Sequence, residues 1–360
     1  CQIFFVMILF DSQNILKQNS MKTKVNKEAD RMIGKICGTG SGIPVKIMDN
    51  DDLSNMVDTN DAWIRERTGV EKRHIAESES TVSMAVEAGR RALAQTGIRP
   101  EELDMIVVST MSPDAVLPCT ACEVQKAIGA EGAVCFDLQA ACTGFIFAYN
   151  TAQAYIQSNM CRTVLLIGSE RLSRLVDWTD RGTCILFGDG AGAMVVTEAE
   201  DGFDDIIAID IKADGNFGQL IELPFSGKNC PLVEPNEVRP AGIKMNGRGV
   251  YTFVAKVLPQ DVEQLLADAG VKAEDIDYLI PHQANMRIIQ AVQERLGYSD
   301  EKVISNIIYY GNTSAASIPI AMAEGVEKGK VKLPSTAVLC GFGAGMTWGG
   351  AIVRLREGIC

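Results

Sequence analysis

The stretch Asp137–Phe145, D-L-Q-A-A-C-T-G-F, lies between an apolar run and a mostly apolar segment of helical length. We predict that a strand ends within it and that a helix begins at Cys142. A side chain at such a joint meets unpaired backbone N–H groups and the positive end of the helix dipole. A thiol in this position loses its proton more easily than a free thiol. Cys142 is therefore a candidate nucleophile, although simple packing at a helix start is the commoner role of a buried cysteine.

Two other residues with useful chemistry follow predicted strands in the second half of the chain. His282 lies in P-H-Q-A-N after the strand Tyr278–Pro281, and Asn312 lies in Y-G-N-T-S after the predicted strand Val303–Ile308. In α/β proteins the carboxyl ends of strands form the edge where ligands bind. Taken singly, these residues could be a core histidine and a helix cap. Taken with Cys142, they supply a nucleophile, a base and an amide donor.

Internal similarity predicts that the fold is duplicated. Gln95–Ser109 resembles Asp268–His282 at a constant offset of 173 residues, and both end a helix at glycine before running into a strand. A second similarity pairs Gly188–Val196 with Gly341–Val353, which we interpret as glycine turns leading into strands. Strands alternate with helices in each half, which predicts α/β architecture with buried sheets. The predicted halves are residues 32–203 and 204–360.

Composition narrows the classes of protein. The chain has 360 residues, of which 47% are hydrophobic, so it can form a large core. The net charge of −12 argues against general nucleic-acid binding. Most of the 11 cysteines stand singly in apolar runs, which is typical of buried thiols in a reducing, cytoplasmic protein. Cys119 and Cys122 form one C-x-x-C, but without a second pair we expect packing on a helix and no metal site.

The first 31 residues differ from the rest. The apolar run Ile3–Phe10 is too short to span a bilayer, and polar sequence follows it. We predict that residues 1–31 are a disordered or non-native extension and that the protein has no stable membrane insertion.

Seven ordered motifs carry a resemblance that runs from about Gly38 to Arg354. They are D-A-W-I-R-E-R-T-G-V, D-L-Q-A-A-C-T-G-F, T-D-R-G-T, F-G-D-G-A-G, P-H-Q-A-N-M-R-I-I, Y-G-N-T-S-A-A-S-I-P and G-F-G-A-G-M-T-W-G. With these motifs the chain resembles the thiolase superfamily, and closely the β-ketoacyl-acyl-carrier-protein synthase III family. The resemblance implies a thiolase-like, duplicated α-β-α-β-α layered sandwich that forms a homodimer.

The resemblance also implies roles for individual residues. Cys142 matches the acyl-accepting nucleophile, and His282 and Asn312 match its two partners. The other matches are Trp63, Arg67 and Arg181 for the adenine end of coenzyme A, Gly247, Ala284 and Asn285 for the pantetheine tunnel, Phe342 for the malonyl gate, Arg287 for carrier-protein docking, and Leu117 for the floor of the neighbouring subunit's acyl pocket.

The family's reaction begins with transfer of an acetyl group, or another short acyl group, from acyl-CoA to the cysteine. Decarboxylative Claisen condensation with malonyl-acyl-carrier protein follows and releases CO₂. This chemistry implies acyl-CoA and acyl-carrier protein as partners, and it needs no metal or redox cofactor. The backbone N–H groups of Cys142 and Ala344 would form the oxyanion hole.

Two positions depart from the family pattern. Ala344 stands where glycine is expected, and an alanine fits there only with a negative φ or with tolerated strain. Thr252 stands where relatives can carry a docking lysine, a loss for which Arg248 could compensate.

Several alternatives remain at this point. A related condensing enzyme with a branched or polyketide starter would use the same three residues. A papain-like hydrolase also uses Cys, His and Asn, but it would lack the glycine-rich motifs. A thiolase would need a second catalytic cysteine in the C-terminal glycine loop. Cys340 precedes that loop, but the sequence around it does not match the thiolase pattern. G-T-G-S-G (Gly38–Gly42) does not fit the G-x-G-x-x-G nucleotide-binding pattern, so we interpret it as a turn or dimer-packing segment. An inactive scaffold is disfavoured because all three candidate positions hold competent residues.

Overall fold

The structure is a computed structural model that describes residues 21–22, 34–199, 205–224 and 242–356. The predicted extension, residues 1–31, lies outside the described residues except for Met21 and Lys22. The predicted boundary between the halves, at residues 203 and 204, also lies outside them.

The strands and helices alternate along the described chain. The strands are β1 (Met21–Lys22), β2 (Gly34–Gly42), β3 (Ile47–Asp49), β4 (Lys72–His74), β5 (Met105–Ser109), β6 (Val134–Leu138), β7 (Thr163–Arg171), β8 (Asp189–Glu198), β9 (Ile206–Ala213), β10 (Ile221–Glu222), β11 (Lys244–Met245), β12 (Tyr278–Pro281), β13 (Ser335–Gly343) and β14 (Thr347–Leu355). The α-helices are α1 (Asn50–Ser54), α2 (Asp61–Thr68), α3 (Thr81–Ala94), α4 (Thr120–Ile128), α5 (Gly144–Gln157), α6 (Gly247–Ala269), α7 (Met286–Leu296), α8 (Ile307–Tyr310) and α9 (Ser317–Glu327).

The described strands form two five-stranded sheets, the first built from the first half and the second from four strands of the second half with β1 added at its edge. The first has the strand order β2-β8-β7-β5-β6, and the second has the order β1-β9-β14-β13-β12. In the first sheet β5 runs parallel to both β6 and β7, while β8 is antiparallel to its neighbours. In the second sheet β12 and β13 are parallel, and β14 is antiparallel to β13 and β9. The order β2-β8-β7-β5 in the first sheet is therefore repeated as β9-β14-β13-β12 in the second.

The sheets and helices form the predicted α-β-α-β-α layers. Helices α5 and α9 lie in the central layer, where Phe145, Tyr149 and Ile318 pack with strands of both sheets in one apolar cluster. Helices α3 and α4 cover the outer face of the first sheet, and α6 and α7 cover the outer face of the second. This packing brings the ends of β6, β12 and β13 together beside the central helices.

The predicted strand Val303–Ile308 was wrong. Only Val303 bridges to β12, through Leu279, and α8 begins at Ile307. The buried side chain of Gln283 explains the difference, because its Oε1 accepts hydrogen bonds from the backbone N–H groups of Asn306 (3.1 Å) and Ile307 (3.2 Å). These backbone groups thus find a side-chain partner where a strand would have needed a neighbouring strand.

The interpretation of Gly38–Gly42 as a turn was also wrong, because the segment lies in β2. An added Cβ at Gly38, Gly40 or Gly42 would stand 2.3, 2.3 or 2.1 Å from successive carbonyl oxygens of α3. Alternate residues on one strand face therefore have to be glycine so that the helix backbone can approach the sheet. Gly190 and Gly192 likewise lie within β8, which begins at Asp189, directly after Gly188, and not in a turn.

Helix α6 is continuous through Pro259. A proline inside a helix costs about 3 kcal/mol, because one backbone hydrogen bond is lost and the ring crowds the preceding turn. The buried face of α6, which includes Pro259, packs in an extensive apolar cluster, and this burial offsets the cost.

The cysteines mostly match the expectation of free thiols. Cys135, Cys161, Cys184 and Cys340 are free, but Cys37 is disulfide-bonded, so the prediction was wrong for that residue. Cys119 and Cys122 lie at the start of α4 with their sulfur atoms 3.4 Å apart. Within the described ranges, no group of three or more His, Cys, Asp or Glu residues is arranged to hold a metal ion.

Candidate active site

The joint that carries Cys142 is a tight turn between β6 and α5. A 3₁₀ turn over Ala141–Thr143 precedes α5, which begins at Gly144, two residues later than predicted. Ala141 has a φ of 47°, in the left-handed region, where a non-glycine residue costs about 1–2 kcal/mol. This strained residue directly precedes the thiol, and Cys142 lines the pocket described below.

The prediction that Cys142 deprotonates easily was wrong for the thiol in this environment. Cys142 is partly exposed to the pocket, but the protein surrounds its sulfur closely, and this burial raises the pKa of Cys142 to about 12. The negative charge of Glu170 raises the pKa further, whereas the hydroxyl of Ser314 lowers it. Burial in a low-dielectric site disfavours the thiolate more than the helix start favours it.

His282 directly follows β12 and is held by a serine of the central layer. Its Nδ1 lies 2.6 Å from Ser317 Oγ, which also accepts a hydrogen bond from the Gln283 backbone N–H (3.2 Å). We assign the Ser317 hydroxyl as the donor to Nδ1, which leaves the imidazole proton on Nε2. No described residue is hydrogen-bonded to Nε2. Burial lowers the pKa of His282 to about 3, so the ring is neutral at physiological pH.

Asn312 follows α8 and Gly311, not the strand that was predicted before it. Its Oδ1 accepts a hydrogen bond from the Ser314 N–H (2.8 Å), and its own backbone N–H donates to Leu186 O (2.8 Å). Because Oδ1 already has a donor, the carboxamide is oriented and its NH₂ group is left for a ligand.

Cys142, His282 and Asn312 line one pocket. The ring of Phe342 also lines it and meets the His282 ring edge-on, with 5.4 Å between ring centroids. The structure thus brings together three groups that are far apart in the sequence and come from the two halves.

The hairpin between β13 and β14 lies against the Cys142 turn. An added Cβ at Gly343 would be 2.7 Å from the backbone nitrogen of Cys142, so only glycine permits this approach. Ala344 is not among the residues with positive φ, and the turn places its φ of 139° on Gly345. The alanine that departs from the family pattern therefore fits without left-handed strain.

Two threonines tie this hairpin to the nucleophile turn. Thr143 Oγ1 lies 3.0 Å from Thr347 Oγ1 and also donates to Thr347 O (3.2 Å). Thr347 Oγ1 is in turn 3.3 Å from the carbonyl oxygen of Ala140. We call this contact between the two halves the threonine latch; sequence reasoning did not identify it.

The residues matched to the adenine end of coenzyme A form a separate group. The guanidinium carbons of Arg67 and Arg181 lie 4.3 and 5.0 Å from the Trp63 ring centroid. Asn285 connects this group to the pocket, because it lines the pocket and its Nδ2 donates to Arg67 O (3.0 Å). Arg287 Nε donates to the carbonyl oxygen of Glu66 on the same helix as Trp63 (3.1 Å).

The remaining predicted residues divide into two sets. Gly247, Ala284 and Ala344 line the pocket, whereas Arg248 is exposed and Leu117 is 84% exposed and lies outside the pocket lining. Sequence reasoning missed most of the apolar wall, because single apolar residues spread over many elements carry no signal. These wall residues are Met111, Leu186, Phe187, Ile221, Ile243, Met245, Val250, Tyr251 and Ile288.

Comparisons with known proteins agree with this architecture. The family model described as 3-oxoacyl-[acyl-carrier-protein] synthase III matches residues 136–215, and the model of its C-terminal region matches residues 266–355. A β-ketoacyl-[acyl-carrier-protein] synthase III from Clostridium acetobutylicum is 44% identical over 320 residues, which cover 89% of this chain and 98% of that protein. The corresponding protein from Natranaerobius thermophilus is 45% identical over 324 residues, or 89% and 98% of the two chains.

Solved structures give the same result. The crystal structure of 3-oxoacyl-[acyl-carrier-protein] synthase III from Aquifex aeolicus has a TM-score of 0.83 and 43% identity, covering 89% of this chain and all (100%) of that chain. The priming β-ketosynthase of the R1128 polyketide pathway has a TM-score of 0.84 and 34% identity, covering 92% and 99%. Among the described residues, no helix combines the length and the apolar character needed to cross a membrane.

Proposed function

The chain belongs to the 3-oxoacyl-[acyl-carrier-protein] synthase III family, and on that premise we propose which of its residues perform the initiating condensation of fatty acid synthesis. The enzyme is an acyltransferase that moves an acyl group from acetyl-CoA, or another short acyl-CoA, to a cysteine. It then condenses that group with malonyl-acyl-carrier protein to give 3-oxoacyl-acyl-carrier protein, CoA and CO₂.

In the first half-reaction, Cys142 is the nucleophile. Its sulfur attacks the thioester carbonyl, and the CoA thiolate leaves. The backbone N–H groups of Cys142 and Ala344 are our candidates for the oxyanion hole, since Gly343 allows their two segments to meet. Losing one such donor typically costs about 3 kcal/mol of transition-state stabilisation.

In the second half-reaction, His282 and Asn312 stabilise the enolate that forms when malonate loses CO₂. Their free donors, Nε2–H and the carboxamide NH₂, both belong to groups that line the pocket. Both groups are neutral, so they donate to the thioester oxygen without a change of protonation state. The enolate carbon then attacks acyl-Cys142. We propose that the reaction needs no metal or redox cofactor, because decarboxylation supplies its driving force.

The observation that carries this proposal is the presence of one thiol, one imidazole with an unpartnered nitrogen and one oriented carboxamide in a single pocket. To test it, the protein is mixed with acetyl-CoA, isobutyryl-CoA and longer acyl-CoAs, and adducts are mapped by peptide mass. We expect an acyl adduct on Cys142 that malonyl-acyl-carrier protein discharges as a 3-oxoacyl product. Absence of an adduct with every donor would contradict the proposal.

A branched or polyketide starter is the second candidate, supported by the similarity to the R1128 priming β-ketosynthase. The same experiment separates the two, because the primer with the fastest adduct formation identifies the starter.

We further propose that Arg248 and Arg287 dock the acidic carrier protein and that Arg67 and Arg181, beside Trp63, hold coenzyme A. Arg248 is exposed and Arg287 is half-exposed at 51%, so both are available to a partner. Rim charges mainly steer association, and salt screens them. Turnover with carrier protein should therefore fall as salt rises, and a salt-independent rate would contradict the docking residues.

A homodimer is proposed from the position of Leu117. Leu117 and its neighbour Val116 are exposed, and so is Val134 on the edge strand β6; exposed apolar side chains and an exposed sheet edge favour pairing with a second copy. Leu117→Asp should shift the molecule toward monomer in sedimentation. We also propose a cytoplasmic location. The free thiols of Cys119 and Cys122, with their sulfur atoms 3.4 Å apart, favour a reducing compartment, whereas the disulfide bond of Cys37 does not.

A further inference from the structure

One face of helix α9 contacts the surroundings of both donors proposed for the second half-reaction. In the first turn of this helix, Ser317 Oγ lies 2.6 Å from His282 Nδ1. Glu324 follows about two turns later on the same face. Its carboxylate accepts hydrogen bonds from the segment that leads to Asn312. One rigid helix is therefore joined to the loop of the imidazole and to the loop of the carboxamide.

Glu324 is hydrogen-bonded to both ends of the short helix α8. Its Oε2 accepts a hydrogen bond from Asn306 Nδ2 (2.7 Å), and Asn306 directly precedes α8. Its Oε1 accepts one from the hydroxyl of Tyr310 (3.2 Å), the last residue of α8. The Glu324 side chain is only 12% exposed, so water competes little for these contacts.

The end of α8 determines where Asn312 lies. The N–H of Gly311 donates to Ile307 O (2.9 Å), and Gly311 has a φ of 63°, so the chain turns sharply out of the helix there. Asn312 comes next, and its N–H donates to Leu186 O (2.8 Å). A shift of α8 is therefore transmitted to the carboxamide through Gly311 alone.

Gln283, directly after His282, fixes the start of α8. Its Oε1 accepts hydrogen bonds from the backbone N–H groups of Asn306 (3.1 Å) and Ile307 (3.2 Å). These bonds join the start of α8 to the loop that carries the imidazole. Glu324 also holds the start of α8, and in addition it holds the end from which the chain continues to the carboxamide.

An ion pair on the helix surface does not account for these contacts. The Lys328 ammonium also contacts Glu324 Oε1, and such i,i+4 pairs are common on exposed helix faces. A pair of that kind needs no further donors, yet Asn306 and Tyr310 both donate to this carboxylate. Burial and the negative charge of Glu324 raise the pKa of Tyr310, so its hydroxyl keeps the proton that it donates. The His74 ring stacks on the Tyr310 ring, with 5.1 Å between centroids, and restricts its movement.

We propose that Glu324 is a positioning residue for enolate stabilisation: it fixes the Asn312 carboxamide relative to the His282 imidazole, which the same helix holds through Ser317. This inference rests on the proposed function of His282 and Asn312. Both donors must reach one thioester oxygen, so a shift of either donor weakens the pair. A misplacement of about 1 Å can cost about 100-fold in rate.

The test compares the two half-reactions. Glu324→Met removes the carboxylate but keeps an unbranched side chain of similar length. Malonyl-carrier-protein decarboxylation, measured as CO₂ release by the Cys142→Ala enzyme, should fall by about 30- to 100-fold when Glu324→Met is added. Acetyl-Cys142 formation, measured by peptide mass in the Glu324→Met enzyme, should stay within about 3-fold of normal, because that step does not use the enolate donors. Glu327→Met, the matched control, removes an exposed carboxylate from the same helix and should leave both steps unchanged.

Two further variants examine the hydrogen bonds themselves. Glu324→Gln keeps an acceptor for Asn306 and offers Tyr310 a donor, so decarboxylation should return to within about 5-fold of that of Cys142→Ala alone. When Asn312→Ala is already present, Glu324→Met should lower decarboxylation by less than about 3-fold more, because the carboxamide that it positions is gone.

A milder variant keeps the inference testable if Glu324→Met does not fold. Tyr310→Phe removes one hydrogen bond to the carboxylate and no charge. It should lower decarboxylation by about 5-fold and leave acylation unchanged. Normal decarboxylation in both variants would overturn the inference.

The other outcomes separate this inference from the proposed function. Equal loss of acylation and decarboxylation in Glu324→Met shows that the residue is only structural and overturns the inference. Full additivity with Asn312→Ala does the same, and so does a Glu324→Gln enzyme as slow as Glu324→Met. Normal decarboxylation in Asn312→Ala itself overturns the proposed function of the carboxamide, and failure to form acetyl-Cys142 overturns that of the thiol.

Discussion

The turns that precede the two central helices are built alike but carry different chemistry. Ala141–Thr143 precedes α5 and Ser314–Ala316 precedes α9, at the same offset of 173 residues that relates the sequence repeats. Each is a 3₁₀ turn whose first residue is left-handed, with φ of 47° at Ala141 and 51° at Ser314. The position of Cys142 in the first turn is Ala315 in the second. The repeated backbone is therefore a scaffold, and only one copy holds the nucleophile.

The strands that face these turns differ in a complementary way. By the same offset, Ser109 at the end of β5 corresponds to His282, and Gly144 corresponds to Ser317. In the second half the helix serine holds the strand imidazole, with 2.6 Å between Oγ and Nδ1. In the first half the strand serine has no partner among the described residues, and the helix glycine leaves room for it. Under the proposed mechanism, the first half forms the acyl bond and the second half stabilises the enolate.

The largest effect should come from removing the one residue that makes the first turn reactive. Cys142→Ala should lower condensation by at least ~10⁴-fold, as removal of a catalytic nucleophile does. Malonyl-carrier-protein decarboxylation should persist, because the second half still supplies its donors. The measurement is CO₂ release beside 3-oxoacyl product. Loss of both activities would show that the halves do not divide the work.

Removing a donor of the second half should give the reverse pattern. Asn312→Ala should lower decarboxylation by about 10²–10³-fold, the usual cost of an oxyanion donor, while acetyl-Cys142 still forms.

The pH dependence sharpens this test. Burial lowers the pKa of His282 to about 3, so the imidazole stays neutral as the pH falls from about 8 to about 5.5. Decarboxylation by Cys142→Ala should therefore stay flat over that range, whereas a fall centred near the ordinary histidine pKa of about 6.5 would contradict a neutral donor.

A steric change can test whether Gly144, which corresponds to Ser317 in the second half, is needed to leave room for Ser109. An added Cβ at Gly144 would lie 2.0 Å from Ser109 Oγ, so Gly144→Ala should lower the free energy of unfolding by about 3 kcal/mol. Ser109→Ala removes an unpartnered hydroxyl and should be nearly neutral by itself. The double variant, measured by denaturant unfolding, should recover part of the loss, and strictly additive effects would exclude the contact.

The smallest effect is expected at the left-handed residue that both turns share. Ala141→Gly relieves about 1–2 kcal/mol of strain but adds about 0.5–1 kcal/mol of backbone entropy cost. The free energy of unfolding should therefore rise by between about 0 and 1.5 kcal/mol. The control Ala154→Gly, at an exposed position of α5, should instead lower it by about 1 kcal/mol. Equal losses in both variants would show that the turn at Ala141 is not strained.

Sequence reasoning found the three pocket residues because strand ends in α/β sheets converge, and the family motifs then gave them roles. It failed where the local backbone structure depends on one side chain or on a segment that is distant in the sequence. Gln283 replaces a strand partner for Asn306 and Ile307, and no periodic pattern signals this. The glycines of Gly38–Gly42 indicate either a turn or a close helix contact, and only the position of α3 decides between them.

The pKa of Cys142 could not be predicted for a similar reason. The local sequence shows the helix start, which favours the thiolate, but not the residues that bury the sulfur. The local sequence also does not show Ser314, whose hydroxyl lowers the pKa of Cys142, or Glu170, whose charge raises it, because both are remote in the chain.

The threonine latch has a consequence for how sequence changes in this protein should be interpreted. Thr143 and Thr347 are 204 positions apart, yet each sets the place of the other's turn. A substitution in the β13–β14 hairpin can therefore displace the turn that carries Cys142 and abolish the reactivity of the thiol without contacting it, while the rest of the fold is unchanged. Variants that lose activity should accordingly be sought near both Thr143 and Thr347, because distance along the sequence does not show whether two residues affect the same site.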